Sequence, residues 1–216
     1  AGQYMYDATN QVVYLGTDPS TVTKLELGVL GKWVGDSTSA GITHKYWGLG
    51  FAHYGSNTNT AQADYAAIWL DGAGCEVIAC TVAYMHGYAL SFRGDDWICR
   101  GNLILHNGCN GVHSDTTDNW LLEANRIAYN HNEFYEFGIG KGYFLIGTYG
   151  AAKLVHPTSN GTARLNIVHD NYANGLWYDR APGGGDNAQS QPSQATDVHI
   201  VRNIIVGNGG FGVQLE

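Results

Sequence analysis

The stretch Asn102-Leu103-Ile104-Leu105-His106-Asn107-Gly108-Cys109-Asn110-Gly111-Val112 recurs twice more in this chain. It returns as Asn166-Ile167-Val168-His169-Asp170-Asn171-Tyr172-Ala173-Asn174-Gly175-Leu176 and as Asn203-Ile204-Ile205-Val206-Gly207-Asn208-Gly209-Gly210-Phe211-Gly212-Val213. A reduced copy keeps only Asn125 and Asn130. In each full copy a Gly and an apolar residue follow the second Asn at a fixed distance. Self-similarity of this length marks one supersecondary unit stacked on copies of itself. Function must then be read from residues in register on successive units.

The apolar residue after the repeated Gly serves as an anchor. Ile68, Leu90 and Val112 are successive anchors at intervals of 22 residues. The runs Val77–Val82, Trp97–Ile104, Trp120–Ile127, Arg164–Val168 and Val198–Val206 follow the anchors and are rich in Val, Ile, Leu and Trp. A unit of this size with two or three short strands is one coil of a parallel β-solenoid, in which each strand pairs with its equivalent on the next coil. The in-phase Asn side chains are expected to stack as a ladder inside the turn and to satisfy turn backbone. Cys80 takes the same phase one coil before Asn102.

Two intervals are longer: 41 residues from Asn125 to Asn166 and 37 from Asn166 to Asn203. The excess is assigned to loops near 131–150 and 181–195. An alternative gives 131–150 a coil of its own. Loops on a solenoid gather on the binding face.

The 216 residues suffice for one domain with a sizeable core; residues 1–35 read as a β-segment leading into coils over 36–216. The first and last residues read as folded sequence cut from a longer protein. With 30 Gly, 14 Tyr, 6 Trp and few charges, the composition suits short strands and tight turns. A net charge of −8 argues against a nucleic-acid backbone as partner, since phosphates need a basic patch. It leaves room for a polysaccharide or oligosaccharide. No run of about 18 apolar residues is available to span a membrane.

Cys75, Cys80, Cys99 and Cys109 allow three pairings if all are bridged. Their phases in the repeat do not coincide, and they read as small buried residues. Asn160-Gly161-Thr162 is a glycosylation triplet, a pattern common by chance. No His-x-x-x-His, phosphate-cradling loop or Gly-x-Ser-x-Gly occurs. No cofactor is expected, and a calcium ion has no motif to hold it.

If the anchors point inward, the residue after each points outward. The first outward column reads Trp69, Ser91, His113, Lys153, Trp177, Gln214. The second reads Asp71, Arg93, Asp115, Val155, Asp179, Glu216. Lys153 enters by taking Ala152 as anchor on the far side of the first loop. Such a strip joins carboxylates, cations and exposed aromatic faces, the groups a carbohydrate site uses. Asp179 and Glu216 fall on adjacent coils, so their carboxyls come to roughly 5 Å, the spacing of a retaining glycosidase pair. Outward charges on a solenoid are as often a merely solvated face.

These residues resemble right-handed parallel β-helix proteins of the pectate-lyase-like superfamily. The phrases over 166–179 and 203–216 carry the resemblance, together with Gly150-Ala151-Ala152-Lys153 and the leading Tyr4-Met5-Tyr6-Asp7. It covers about residues 20–216 and implies an all-β, right-handed parallel β-helix (β-solenoid) with about 22 residues per coil and two long loop insertions. It also implies a secreted, extracellular or cell-surface protein acting on polysaccharide. Polygalacturonase and mannuronan-epimerase motifs are absent.

The leading expectation is glycoside hydrolysis, with Asp179 and Glu216 as carboxylate pair and Lys153 beside them. Trp177, His113, Asp115, Arg93 and Trp69 would bind the sugar. A uronan lyase or C5-epimerase would use Lys153 or Arg93 as base and cation. A non-catalytic adhesin, tailspike-like or structural segment would bind without turnover. Open solenoid ends would favour self-association.

Overall fold

The computed structural model describes residues 4–7, 12–15, 41–54, 66–132, 150–155, 160–179 and 197–215. Strands β1 (Tyr4–Asp7) and β2 (Val12–Leu15) form an antiparallel hairpin. The other strands make three parallel sheets of six. The first holds β5 (Ile68–Leu70), β8 (Leu90–Phe92), β11 (Val112–Asp115), β14 (Gly150–Val155), β17 (Asn174–Asp179) and β20 (Val213–Leu215). The second holds β3 (Lys45–Trp47), β6 (Glu76–Ile78), β9 (Ile98–Arg100), β12 (Leu121–Glu123), β15 (Thr162–Arg164) and β18 (His199–Val201). The third holds β4 (Gly50–Ala52), β7 (Thr81–Ala83), β10 (Leu103–Leu105), β13 (Arg126–Ala128), β16 (Ile167–His169) and β19 (Ile204–Val206). Each circuit visits the three sheets in turn, so the protein is the parallel β-helix that the repeat implies.

The runs expected as single strands are in fact pairs. The breaks fall at Ala79, Gly101, Ala124, Leu165 and Arg202, all with positive φ. A left-handed residue turns the backbone sharply, and for a non-glycine it costs about 1–2 kcal/mol. What holds it there is an Asn of the next coil, whose Oδ1 takes the N–H of the residue that follows the corner. Asn102 Oδ1 accepts from Cys80 N (2.8 Å), Asn125 Oδ1 from Asn102 N (3.0 Å), Asn166 Oδ1 from Asn125 N (3.0 Å) and Asn203 Oδ1 from Asn166 N (2.9 Å). A second ladder of Asn107, Asn130, Asn171 and Asn208 repeats this at the other bend, starting from Met85 N. The ladder side chains thus supply the bonds that the strand pairing loses at each corner.

Register also decides the long intervals. Val112 pairs directly with Ala152, and Leu121 with Thr162. No coil lies between them, so the extra residues form an insertion within one coil. Most of 131–150 and all of 181–195 lie outside the described residues.

Alternate residues of all three sheets point inward and fill one core running along the axis. Within it Phe92, Trp97 and Trp120 stack at 4.5 and 5.6 Å, and Trp97 Nε1 donates to Thr117 Oγ1 at 3.0 Å. Gly161 is the next member of that row, and a Cβ there would collide with the Trp120 ring. The four cysteines are buried thiols, none bridged. Burial pushes the Cys99 thiol up to about 12.

His131 directly follows the Asn130 rung and is fully buried, its backbone N–H donating to the carbonyls of Asn107 (2.8 Å) and Cys109 (3.0 Å). Burial pushes its imidazole down to about 4 from an ordinary 6.5. Between these values the unfolded protein takes up a proton that the folded protein refuses. The stabilising effect is therefore complete above pH 6.5 and is lost as pH falls through 4. The loss is on the order of 3 kcal/mol. Urea midpoints measured from pH 7 to pH 4 should fall accordingly, and less steeply in His131→Gln. Parallel slopes in the two proteins would refute the assignment.

Candidate functional site

The outer face of the first sheet carries the expected column in register. Trp69 pairs with Ser91, His113 with both Ser91 and Lys153, and Trp177 with both Lys153 and Gln214. Asp115, Val155 and Asp179 form the neighbouring column. Glu216 lies outside the described residues.

Lys153 is the centre of the arrangement. Its Nζ stands 3.0 Å from Asp179 Oδ2 and 3.7 Å from the centroid of the Trp177 ring. Opposite neighbours on a parallel ladder lie about 4.8 Å apart, which lets a lysine on β14 cover the indole of β17 and still reach the carboxylate two residues on. Only 13% of the Lys153 side chain and 10% of Asp179 reach solvent. A pair this shielded is costly to break: removing one partner typically costs about 3–5 kcal/mol, because the other charge stays behind.

A second cation between a carboxylate and an indole lies earlier in the sheet, spread over three coils, with Trp69 on β5, Arg93 just after β8 and Asp115 on β11. Arg93 Nη2 stands 3.0 Å from Asp115 Oδ2, with its guanidinium 5.8 Å from the Trp69 ring centroid. This pair is more open, with side-chain exposures of 32% and 25%. On the coils that carry Arg93 and Asp115, Ser91 Oγ and His113 Nδ1 share a hydrogen bond of 3.3 Å, and Tyr88 meets His113 edge to face at 5.6 Å.

The sequence reading expects an exposed indole at Trp177, whereas only 5% of the residue is accessible. The face turned to Lys153 is already capped by the ammonium, a cation–π contact that favours this stacking. Three members were missed from sequence: Tyr88, Asn110 and Asn174. Asn174 Nδ2 donates to Gln214 Oε1 (2.6 Å), and its Oδ1 accepts from Phe211 N (2.8 Å). Asn110 Oδ1 accepts from Gly150 N (3.3 Å). The signal was present, since both Asn residues precede the repeated Gly. Among the described residues, no group of three or more His, Cys, Asp or Glu side chains is placed to hold a metal ion. No helix there is long and apolar enough to cross a membrane.

Residues 66–216 match the family described as the right-handed β-helix region, and the protein belongs to that family. No curated protein matches it. Among solved structures, the A-module of the mannuronan C-5 epimerase of Azotobacter vinelandii is similar, with 11% identity and a TM-score of 0.49 over 81% of this chain. The chain spans 43% of that structure's length.

Proposed function

We propose that the protein is a glycoside hydrolase that acts on a polysaccharide lying along the outer face of the first sheet. One observation carries the reading: a carboxylate, a cation and an indole converge at Asp179, Lys153 and Trp177 on adjacent coils. Asp179 attacks the anomeric carbon as nucleophile. The glycosidic oxygen leaves with a proton from a second carboxyl, for which Glu216 one coil on is the candidate. Water then releases the sugar and restores the carboxylate. Lys153 positions the attacking carboxylate.

A second cluster of Trp69, Arg93 and Asp115, with its cation and carboxylate each two coils or roughly 10 Å from Lys153 and Asp179, supports a polymeric ligand extended along the axis. Both cations face carboxylates at 3.0 Å, so this strip offers little excess positive charge to a polyanion. With a net charge of −8, that favours a neutral polysaccharide. Action on a polysaccharide fits secretion or the cell surface.

A uronan lyase or C5-epimerase is the second reading. It is favoured by the in-register neighbours His113 and Lys153, a base beside a cation. Lys153→Met separates the two. For a hydrolase, reducing ends should still form on neutral polysaccharide, at a rate lowered by about 10-fold through a less well oriented Asp179. For a lyase, the absorbance of unsaturated uronate should appear with wild type on acidic polysaccharide and vanish in the variant. Thermal unfolding of both proteins controls for the broken pair. No turnover on either class leaves a binding or structural segment as the better account.

A further inference from the structure

We infer that Asn160 is a site of spontaneous deamidation, singled out by the fold from five Asn-Gly pairs. The pairs are Asn107-Gly108, Asn110-Gly111, Asn160-Gly161, Asn174-Gly175 and Asn208-Gly209. In this reaction the glycine backbone nitrogen attacks the Asn Cγ. A ring C–N bond forms, the Cγ–Nδ2 bond breaks, and ammonia leaves with the proton of the backbone amide. Water then opens the succinimide at either carbonyl, giving aspartate or isoaspartate. Glycine favours the attack because no Cβ obstructs it. The Asn side chain must be able to swing onto the next backbone nitrogen.

Four of the five side chains are tied down. Asn107 accepts from Met85 N (3.0 Å) and donates to Val82 O (3.2 Å) and Asn130 Oδ1 (2.8 Å). Asn110 is buried and accepts from Gly150 N (3.3 Å). Asn174 is bonded to Phe211 N and Gln214. Asn208 accepts from Asn171 Nδ2 (2.8 Å) and donates to Val168 O (3.1 Å). Asn160 belongs to neither ladder. It is exposed at the turn into β15, with a left-handed φ of 50°.

The product matters for the coil. Isoaspartate puts an extra carbon into the backbone directly before Gly161, which sits against the Trp120 ring. β15 pairs with β12 on one side and β18 on the other, so the disturbance falls between two coils.

The test uses the whole protein, made in a host that does not glycosylate. It is incubated in warm, mildly alkaline buffer, digested and analysed by mass spectrometry for amide-to-carboxylate exchange and by enzymatic isoaspartate labelling. In the folded protein Asn160 should convert at least roughly tenfold faster than any other pair, the factor that about 1.4 kcal/mol of extra opening cost imposes. In urea all five should convert at comparable rates. Asn160→Gln should remove the isoaspartate signal of the folded protein. An Asn160 that stays intact while the unfolded protein reacts, or an undiminished signal in Asn160→Gln, would overturn the assignment.

Discussion

Asp179→Asn is expected to lower polysaccharide turnover by about 10²–10⁴-fold, the range for removing a positioned reacting or charge-stabilising group. The substitution keeps the shape of the residue and an oxygen for the Lys153 ammonium at 3.0 Å, but removes the negative charge and the nucleophile. Stability should fall as well, since the cation loses its counter-charge in a site that is nine-tenths shielded. Activity is therefore read at a temperature where both proteins are folded. The double variant Lys153→Met with Asp179→Asn removes both charges. It should recover much of the stability and none of the activity. Substrate affinity should change far less than kcat, because the sugar's other contacts remain. Turnover of Asp179→Asn within about tenfold of wild type would remove Asp179 from the reaction. The shielded trio would then be structural.

The fold was legible because a stacked coil makes an unusual demand on sequence. Each further ladder rung is an Asn, after Cys80 opens the first ladder and Met85 the second, whatever happens on the outside. Once Val112 was aligned with Leu90, period-2 alternation fixed both outer columns, even across the insertion before Gly150. The corners were not legible. Ala79, Ala124 and Leu165 hold left-handed φ values of 54°, 54° and 58°, yet none has a turn propensity. The Asn residues of the adjacent coil impose those angles, so the cause lies some twenty residues or more away in sequence. Burial of the site was hidden for a similar reason. A Lys and a Trp on an outward column look like surface residues until the lysine is seen lying across the ring of the next coil.

The charge pairing follows the same geometry. Arg93 and Asp115 were assigned separately to sugar binding, and the structure brings them to 3.0 Å. Sequence order along a column says which residues are neighbours, but not how far a long side chain leans. The Arg93 pair, about a third exposed, is more accessible than the Lys153 pair.

Asn125→Ala should cost about 4 kcal/mol, more than any surface change in the protein. Its Oδ1 accepts from Asn102 N (3.0 Å) and Asn102 Nδ2 (2.9 Å), and its Nδ2 donates to Cys99 O (2.8 Å) and Asn166 Oδ1 (3.0 Å). All these groups are buried, so truncation leaves each without water to replace the lost bond. An unsatisfied buried group costs about 1–3 kcal/mol, and partial relaxation toward the gap keeps the total below the full sum. In a protein of this size the melting temperature should drop by about 10 °C. Asn203 occupies the same ladder but is only half-buried, and it accepts from Asn166 N and Nδ2, both at 2.9 Å. There water can enter, so Asn203→Ala should cost about 1 kcal/mol. The contrast is the informative quantity, since both variants delete the same atoms. Equal losses at the two positions would mean that the ladder acts through side-chain packing alone. A loss below about 1 kcal/mol at Asn125 would mean that the left-handed corners hold without it. The expected order, large at the buried Asn125 and small at the half-buried Asn203, follows only if satisfying buried backbone at the corners is what the repeated asparagines are for.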